Sequence, residues 1–358
     1  MSQARVSTNF ALIKAEWSNP TDVLTILSVI GGDIVQSAIA QLCSSPPYFF
    51  TPVAFSFGWV AYAFSAILCA IGSRRLAPDP DCPCTLIDVS TGHARDVKSW
   101  PLSRLVRDYE FPGETPRGLT VTFYETSPNK RCGVPDCDWV YYSGFIVIML
   151  QLAVAIIPGA LFGNWMIIIV TANGLLLVQV QAALPQWQKE LWSARHIQET
   201  QTEVVCLTKG NGGAYVMVIK SKGVRDAELR LADLASGREV TSRTTVPLTF
   251  LLAIFWLIHL FCMTGVVNNS WYSLLIGALG MLQNAIASGA RRKPGALGFH
   301  LKQVHEVHNN KVFDALKEAE EVERKVGVVL TDIFFPGGLR HDEEVWKRER
   351  IAENATKK

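Results

Sequence analysis

Six long apolar runs set the pattern of the chain, at 23–43, 50–72, 140–162, 165–184, 246–267 and 271–290. Each is near the roughly 20 residues that carry an α-helix across ~30 Å of hydrocarbon, so the pattern predicts six transmembrane helices. The linkers at 44–48, 163–164 and 268–270 are so short that they group the runs into three hairpins.

Between the hairpins the pattern changes. Residues 85–90 and 119–125 alternate as strands do, the second with Leu119, Val121 and Phe123 on one side. At 99–109, Leu102, Leu105, Val106 and Tyr109 stand opposite Arg104, Arg107 and Asp108, which predicts an amphipathic helix. Segments 202–207 and 214–219 flank Lys209-Gly210-Asn211-Gly212-Gly213 and read as a β-hairpin, followed by a short helical or turn segment at 227–234. In the tail, Leu301, Val304, His308, Val312, Leu316, Ala319, Val322 and Val326 recur at steps of three and four, predicting one long helix over 299–326. A break follows at 334–338, and Asp342 is placed to cap a last helix through Arg350.

The expected organisation is a lead at 1–20, a first transmembrane hairpin at 21–72, a loop at 73–139, a second hairpin at 140–184, a loop with a β-hairpin at 185–245, a third hairpin at 246–290 and a helical tail at 291–358. No loop alone is large enough to bury a comfortable core, whereas the two loops and the tail together match an ordinary domain. The fold class expected is therefore an α-helical polytopic membrane protein, with six transmembrane helices as three hairpins and a discontinuous cytosolic α+β domain built from the two long loops and the C-terminal tail.

Composition agrees with a membrane protein. Of 358 residues 49% are hydrophobic and only 18% charged, which points away from an ordinary soluble protein. All 34 Lys and Arg fall outside the runs and their short turns, and Lys14, Arg74, Arg75, Lys189, Arg243 and Arg291-Arg292-Lys293 lie closest to them. The positive-inside rule then places both termini and both long loops in the cytosol. A net charge of +2 with interspersed signs gives no basic stripe for nucleic acid, so the lipid bilayer is the first partner implied. Residues 1–20 are polar throughout and do not read as a cleavable signal peptide.

Candidate chemistry begins with Asp33, a carboxylate in the middle of the first run, where a charge is costly and by default functional. At helical spacing Gln36, Ser37 and Gln41 share its face. With Gln151, Asn173, Gln179, His259, Gln283 and Asn284 it forms a set open to two readings. One is a polar pocket for an ion or small solute with Asp33 as charge carrier; the other is hydrogen-bonding glue between helices. Cys82, Cys84, Cys132 and Cys137 are weak metal candidates, because their spacing is not that of paired CxxC knuckles, and free thiols are the simpler reading. The glycine-rich 209–213 stretch lacks the ending of a phosphate-binding loop, and His305-Glu306-Val307-His308 lacks the HExxH spacing. No catalytic residue set and no cofactor is implied, and an enzyme has the least support.

The blocks GGDIVQSAIAQL, FSFGWVAYAFSAIL, GALFGNW, ALPQWQKELW, VVCLTKGNGGAYVMVI and FFPGGLRHDEEVW resemble those of a fungal family of multi-pass membrane proteins to which no biochemical activity is assigned. The resemblance implies membrane location and the same layout, and supplies no catalytic residues. The function expected is that of a membrane-anchored scaffold or interaction protein with a cytosolic partner or a capacity for self-association. The alternative is a small-solute or ion transporter, or a sensor, built around Asp33.

Overall fold

The structure, a computed structural model, describes residues 27, 30–43, 50–72, 75–110, 117–198, 201–223, 228–238, 240, 243–266 and 268–356. The expected lead at 1–20 and turn at 44–48 lie outside these residues. In chain order the elements are α1 (Gly32–Leu42), α2 (Gly58–Ile71), β1 (Thr85–Asp88), β2 (Ala94–Asp96), α3 (Trp100–Tyr109), β3 (Leu119–Thr126), α4 (Trp139–Phe162), α5 (Met166–Ala182) and α6 (Pro185–Leu191). Then follow β4 (Glu203–Thr208), β5 (Tyr215–Ser221), α7 (Leu231–Ala235), α8 (Thr245–Thr264), α9 (Ser270–Gly289), β6 (Leu301–Asn309), α10 (Val312–Val322), α11 (Val326–Phe334) and α12 (His341–Thr356). They divide into two units. A helical unit comprises Met1–Pro78, Cys137–Glu190 and Glu239–Arg291, and an α/β unit comprises Asp79–Asp136, Leu191–Arg238 and Arg292–Lys358.

Among the described residues six transmembrane helices do not form. Two helices there, α4 and α8, are long and apolar enough to cross a membrane, and a third span is reached only if α5 and α6, bent by 43°, count as one. The physical reasons are local. The first run is broken at Gly31, whose φ of +91° ends regular helix and leaves α1 with 11 residues, about 16 Å. The second run contains Pro52 and takes up no regular structure through Ser56, so α2 has 14 residues. The last run does form a 20-residue helix, α9, but Gln283, Asn284 and its small residues keep it below the apolarity of a span. On α4 and α8 large apolar side chains face outward, Leu161 at 69% and Phe261 at 73% exposure, as lipid-facing positions do.

Within the helical unit, α2 packs on α8, α9 on α1 and α4, and α4 on α5. Residues 51–57 run through the bundle buried along their whole length. Glycines make room for this peptide: a Cβ at Gly280 would sit 1.7 Å from the Phe55 carbonyl oxygen, and one at Gly144 1.8 Å from that of Pro52.

An α+β domain is present. Its six-stranded sheet has the order β2-β1-β4-β5-β3-β6, with β3 and β5 parallel and every other neighbouring pair antiparallel. Strand alternation separates two cores. Leu86, Leu207, Met217 and Ile219 meet Leu102 and Leu105 of α3 and Leu234 of α7; Ile87, Val121, Cys206 and Val218 meet Leu316 and Ala319 of α10 and Leu330 of α11. The tail departs from its expected single helix. Residues Leu301–Asn309 form strand β6 on β3, and two helices replace the rest, because pairing to the open edge of β3 outweighs the three-and-four spacing of apolar residues.

Two glycines of α9 give a contrast. Gly280→Ala should lower stability by roughly 2–3 kcal/mol or more through collision with the Phe55 backbone, while Gly289→Ala, with nothing within 4 Å, should be neutral or slightly stabilising. Thermal midpoints of the detergent-solubilised variants check this; equal midpoints would refute the close approach.

Candidate functional site

A peptide outside helix and sheet leaves N–H and C=O groups unpaired, and around residues 51–56 these meet the amides singled out in the sequence. From α5, Gln179 Oε1 accepts from Thr51 N at 3.2 Å and its Nε2 donates to Thr51 O at 2.9 Å. From α9, Gln283 Oε1 accepts from Ala54 N at 3.1 Å, and Asn284 Nδ2 donates to Ser56 Oγ at 2.9 Å. From α4, Gln151 Nε2 donates to Phe55 O at 2.6 Å and to Ile276 O at 2.8 Å. Trp59 Nε1 donates to Ala54 O at 3.0 Å, closing the set.

His259 and Asn173 form an adjoining pair, Nδ1 to Nδ2 at 3.1 Å, with the imidazole fully buried edge-on to Phe55 and Trp256. Trp256 stacks on Trp59 with ring centroids 5.7 Å apart and donates from Nε1 to Gln181 Oε1 at 2.8 Å. Gln151 Oε1, Asn284 Oδ1 and His259 Nε2 are buried with no hydrogen-bond partner among the described residues. The void beside Phe55, Ser56 and Phe57 measures about 10 Å³, at the lower limit for one water. The arrangement holds a peptide.

Asp33 stands apart from this set. It is exposed on the first turn of α1, where the positive end of the helix dipole favours a carboxylate. Gln36 donates from Nε2 to Leu76 O at 2.8 Å, and Gln41 is buried on the same helix. One buried carboxylate was not singled out from the sequence: Glu190 Oε2 accepts from Leu76 N at 2.7 Å and Ala77 N at 2.8 Å. Its place in the amphipathic segment after Pro185, among Gln and Trp, is the signal that marks it.

The α/β unit has an open cleft of about 1090 Å³, lined among others by Arg107, Glu110, Lys209, Asn211, Tyr215 and Asn310. The 209–213 stretch forms its rim as the β4–β5 turn, with Gly210 and Gly212 at positive φ and Gly213 N donating to Gly210 O at 2.9 Å. Its cations are already matched by carboxylates: Lys209 pairs with Glu110 at 2.7 Å, and Arg107 with Asp108 at 2.7 Å and Asp81 at 3.3 Å.

All eight cysteines are free. Among the described residues no group of three or more His, Cys, Asp or Glu side chains is placed to hold a metal. The Cys132 thiol is pushed up to about 12 by burial, and Cys137 belongs to the helical unit. Cys82 and Cys84 do meet. A hydrogen bond from Cys84 holds the Cys82 thiol below its ordinary value, against the opposing effect of burial, and the same bond with burial raises Cys84. His305 and His308 lie on strand β6, with His308 Nδ1 3.0 Å from Thr120 Oγ1.

No protein-family model, no curated protein and no solved structure matches the chain.

Gln151→Leu should lower the thermal midpoint, by the equivalent of about 1–3 kcal/mol, because the Phe55 carbonyl loses its buried donor. Asp33→Asn, at an exposed helix start, should change stability by less than ~1 kcal/mol. Equal effects of the two would place Asp33 in the cluster.

Proposed function

We propose that this chain is a membrane-anchored interaction protein: the helical unit holds it in a bilayer and the α/β unit is the part that meets a protein partner or a second copy. One observation carries the reading. The amides that a transporter would turn toward a solute are turned onto the chain's own peptide at 51–56, through Gln151, Gln179, Gln283 and Asn284. Asp33, the charge such a transporter needs, is exposed and outside that cluster.

The way the sheet is assembled supports a multi-pass anchor of few spans. Its strands come from three stretches of chain, and strands of one sheet share one side of a membrane. Whatever leaves after β3 must return before β4, and whatever leaves after α7 must return before β6. In this reading α4 is answered by the bent pair α5–α6, and α8 by α9, whose 20 residues have the length of a span though not its apolarity. The basic residues next to these helices, Lys189, Arg243 and Arg291-Arg292-Lys293, put the strands in the cytosol by the positive-inside rule. The six sequence blocks support membership of the fungal multi-pass family they resemble.

Membranes holding the full chain test this. After alkaline carbonate extraction the protein should stay in the pellet, and protease added to sealed cytosol-side-out vesicles should digest the α/β unit. Release into the supernatant would overturn the anchor; full protection from protease would overturn the sidedness.

A further inference from the structure

Cys82-Pro83-Cys84 leads directly into β1, and its two thiols differ in every respect that matters for reactivity. Cys84 is 5% exposed and packs in the core beneath the sheet with Leu86 and Leu105. Cys82 is half-buried, and Pro83 between them is exposed. Two residues apart, the thiols border the same apolar cluster, Cys84 within it and Cys82 packed against it. The Cys82 thiol donates to Ser103 O at 3.2 Å, on the first turn of α3, a bond the thiolate gives up. The ammonium of Lys209, on the rim of the cleft, acts on Cys82 from the other side and favours the thiolate, opposed by Glu110 and Asp81. A thiol that is accessible, acidified by a neighbour and set beside a second thiol is the arrangement of a site that exchanges disulfides, whereas the other cysteines of the α/β unit, Cys132 and Cys206, are raised by burial.

We propose that Cys82 and Cys84 form a thiol–disulfide exchange site, Cys82 attacking and Cys84 resolving, whose co-substrate is a disulfide of small-molecule or peptide class. In the first step the Cys82 thiolate attacks one sulfur of the co-substrate, forming a mixed disulfide and expelling the other sulfur as a thiolate, which takes up a proton. In the second, Cys84 gives up its proton and attacks Cys82 Sγ, releasing the second co-substrate thiol. One dithiol and one disulfide become one protein disulfide and two thiols. The reverse sequence, with a thiol as reductant, regenerates the site. The bridge spans three residues, Pro83 between them is exposed, and the reaction partner approaches from the solvent face of Cys82. Nothing in the scheme depends on how the chain meets a membrane or a partner, so its failure leaves the anchoring proposal standing.

The test uses the full chain in detergent, with oxidised glutathione as probe and peptide mass spectrometry as readout. Wild type should acquire a Cys82–Cys84 disulfide that reduced glutathione removes. Cys84→Ser should instead trap glutathione on Cys82, and Cys82→Ser should leave Cys84 unmodified. In Cys84→Ala, alkylation of Cys82 should slow several-fold near neutral pH and its pH profile should move to higher pH, because the acidifying hydrogen bond is gone. Wild type is its own control should a variant fail to fold, since Cys132 and Cys206 are read in the same digest. Modification of Cys82 no faster than of those two, or a Cys84→Ser protein that carries no glutathione at Cys82, would overturn the proposal.

Discussion

An irregular peptide in an apolar interior cannot satisfy most of its own N–H and C=O groups, and the helical unit is built around that one constraint. Residues 51–56 interrupt what would otherwise be one long apolar helix; Val53 N donates to Thr51 O within the segment, and the other freed backbone groups need partners from outside it. Pro52 removes one donor from the account because it has no N–H. The backbone groups of Thr51, Ala54 and Phe55, with the Ser56 hydroxyl, receive side-chain partners from α4, α5 and α9. Those amides reach only because Gly144 and Gly280 let the helices close to backbone contact with the segment. The same approach brings Phe55 against Trp256 and His259. Polar satisfaction, glycine placement and aromatic packing thus depend on one another, and half-satisfying such a network would be worse than an apolar core.

The α/β unit rests on a different economy. Its two apolar clusters come from ordinary strand alternation, and ion pairs fix the strand-flanking helix α3. Arg104 is 1% exposed and lies between Asp81 at 2.5 Å and Asp108 at 3.5 Å. Asp108 in turn accepts from the backbone of Arg292 at 3.0 Å, tying the first chain stretch to the third. A buried pair of this kind adds little net stability after desolvation, but an Arg104 left alone would cost about 3–5 kcal/mol. Its contribution is to fix which pieces of chain belong together.

How much of this could be read beforehand divides by range. Short-range pattern was legible: 99–109 holds α3, 119–125 holds most of β3, and the segments on either side of 209–213 hold β4 and β5. The apolar runs at 140–162 and 246–267 hold the two helices long and apolar enough to cross a membrane. What failed was decided by contacts distant in sequence. Leu301–Asn309 has an apolar spacing that suits a helix, and only the bare edge of β3, far earlier in the chain, makes it a strand. The run at 50–72 counts as apolar whether it is helix or peptide, and the choice turns on Pro52 together with amides from three other helices. The candidate residues were the right ones to notice in Gln151, Gln179, Gln283 and Asn284, yet their common target was a backbone, which has no signature in sequence. Asp33 carried weight only while Gly31 was taken as interior to a long helix.

The order of strands has a consequence for biosynthesis. β3 lies between β5 and β6 and pairs with no strand that precedes it in the chain. At ~5–20 residues per second the ribosome needs roughly 10–40 seconds to move from β3 to the end of β6. Within that interval α4, α5, α8 and α9 also leave the ribosome, while the eight residues of β3 wait for β5 on one edge and longer still for β6 on the other. The sheet therefore closes only after the last hydrophobic stretch has left the ribosome, and until then a nascent chain exposes the kind of surface that holdase chaperones cover.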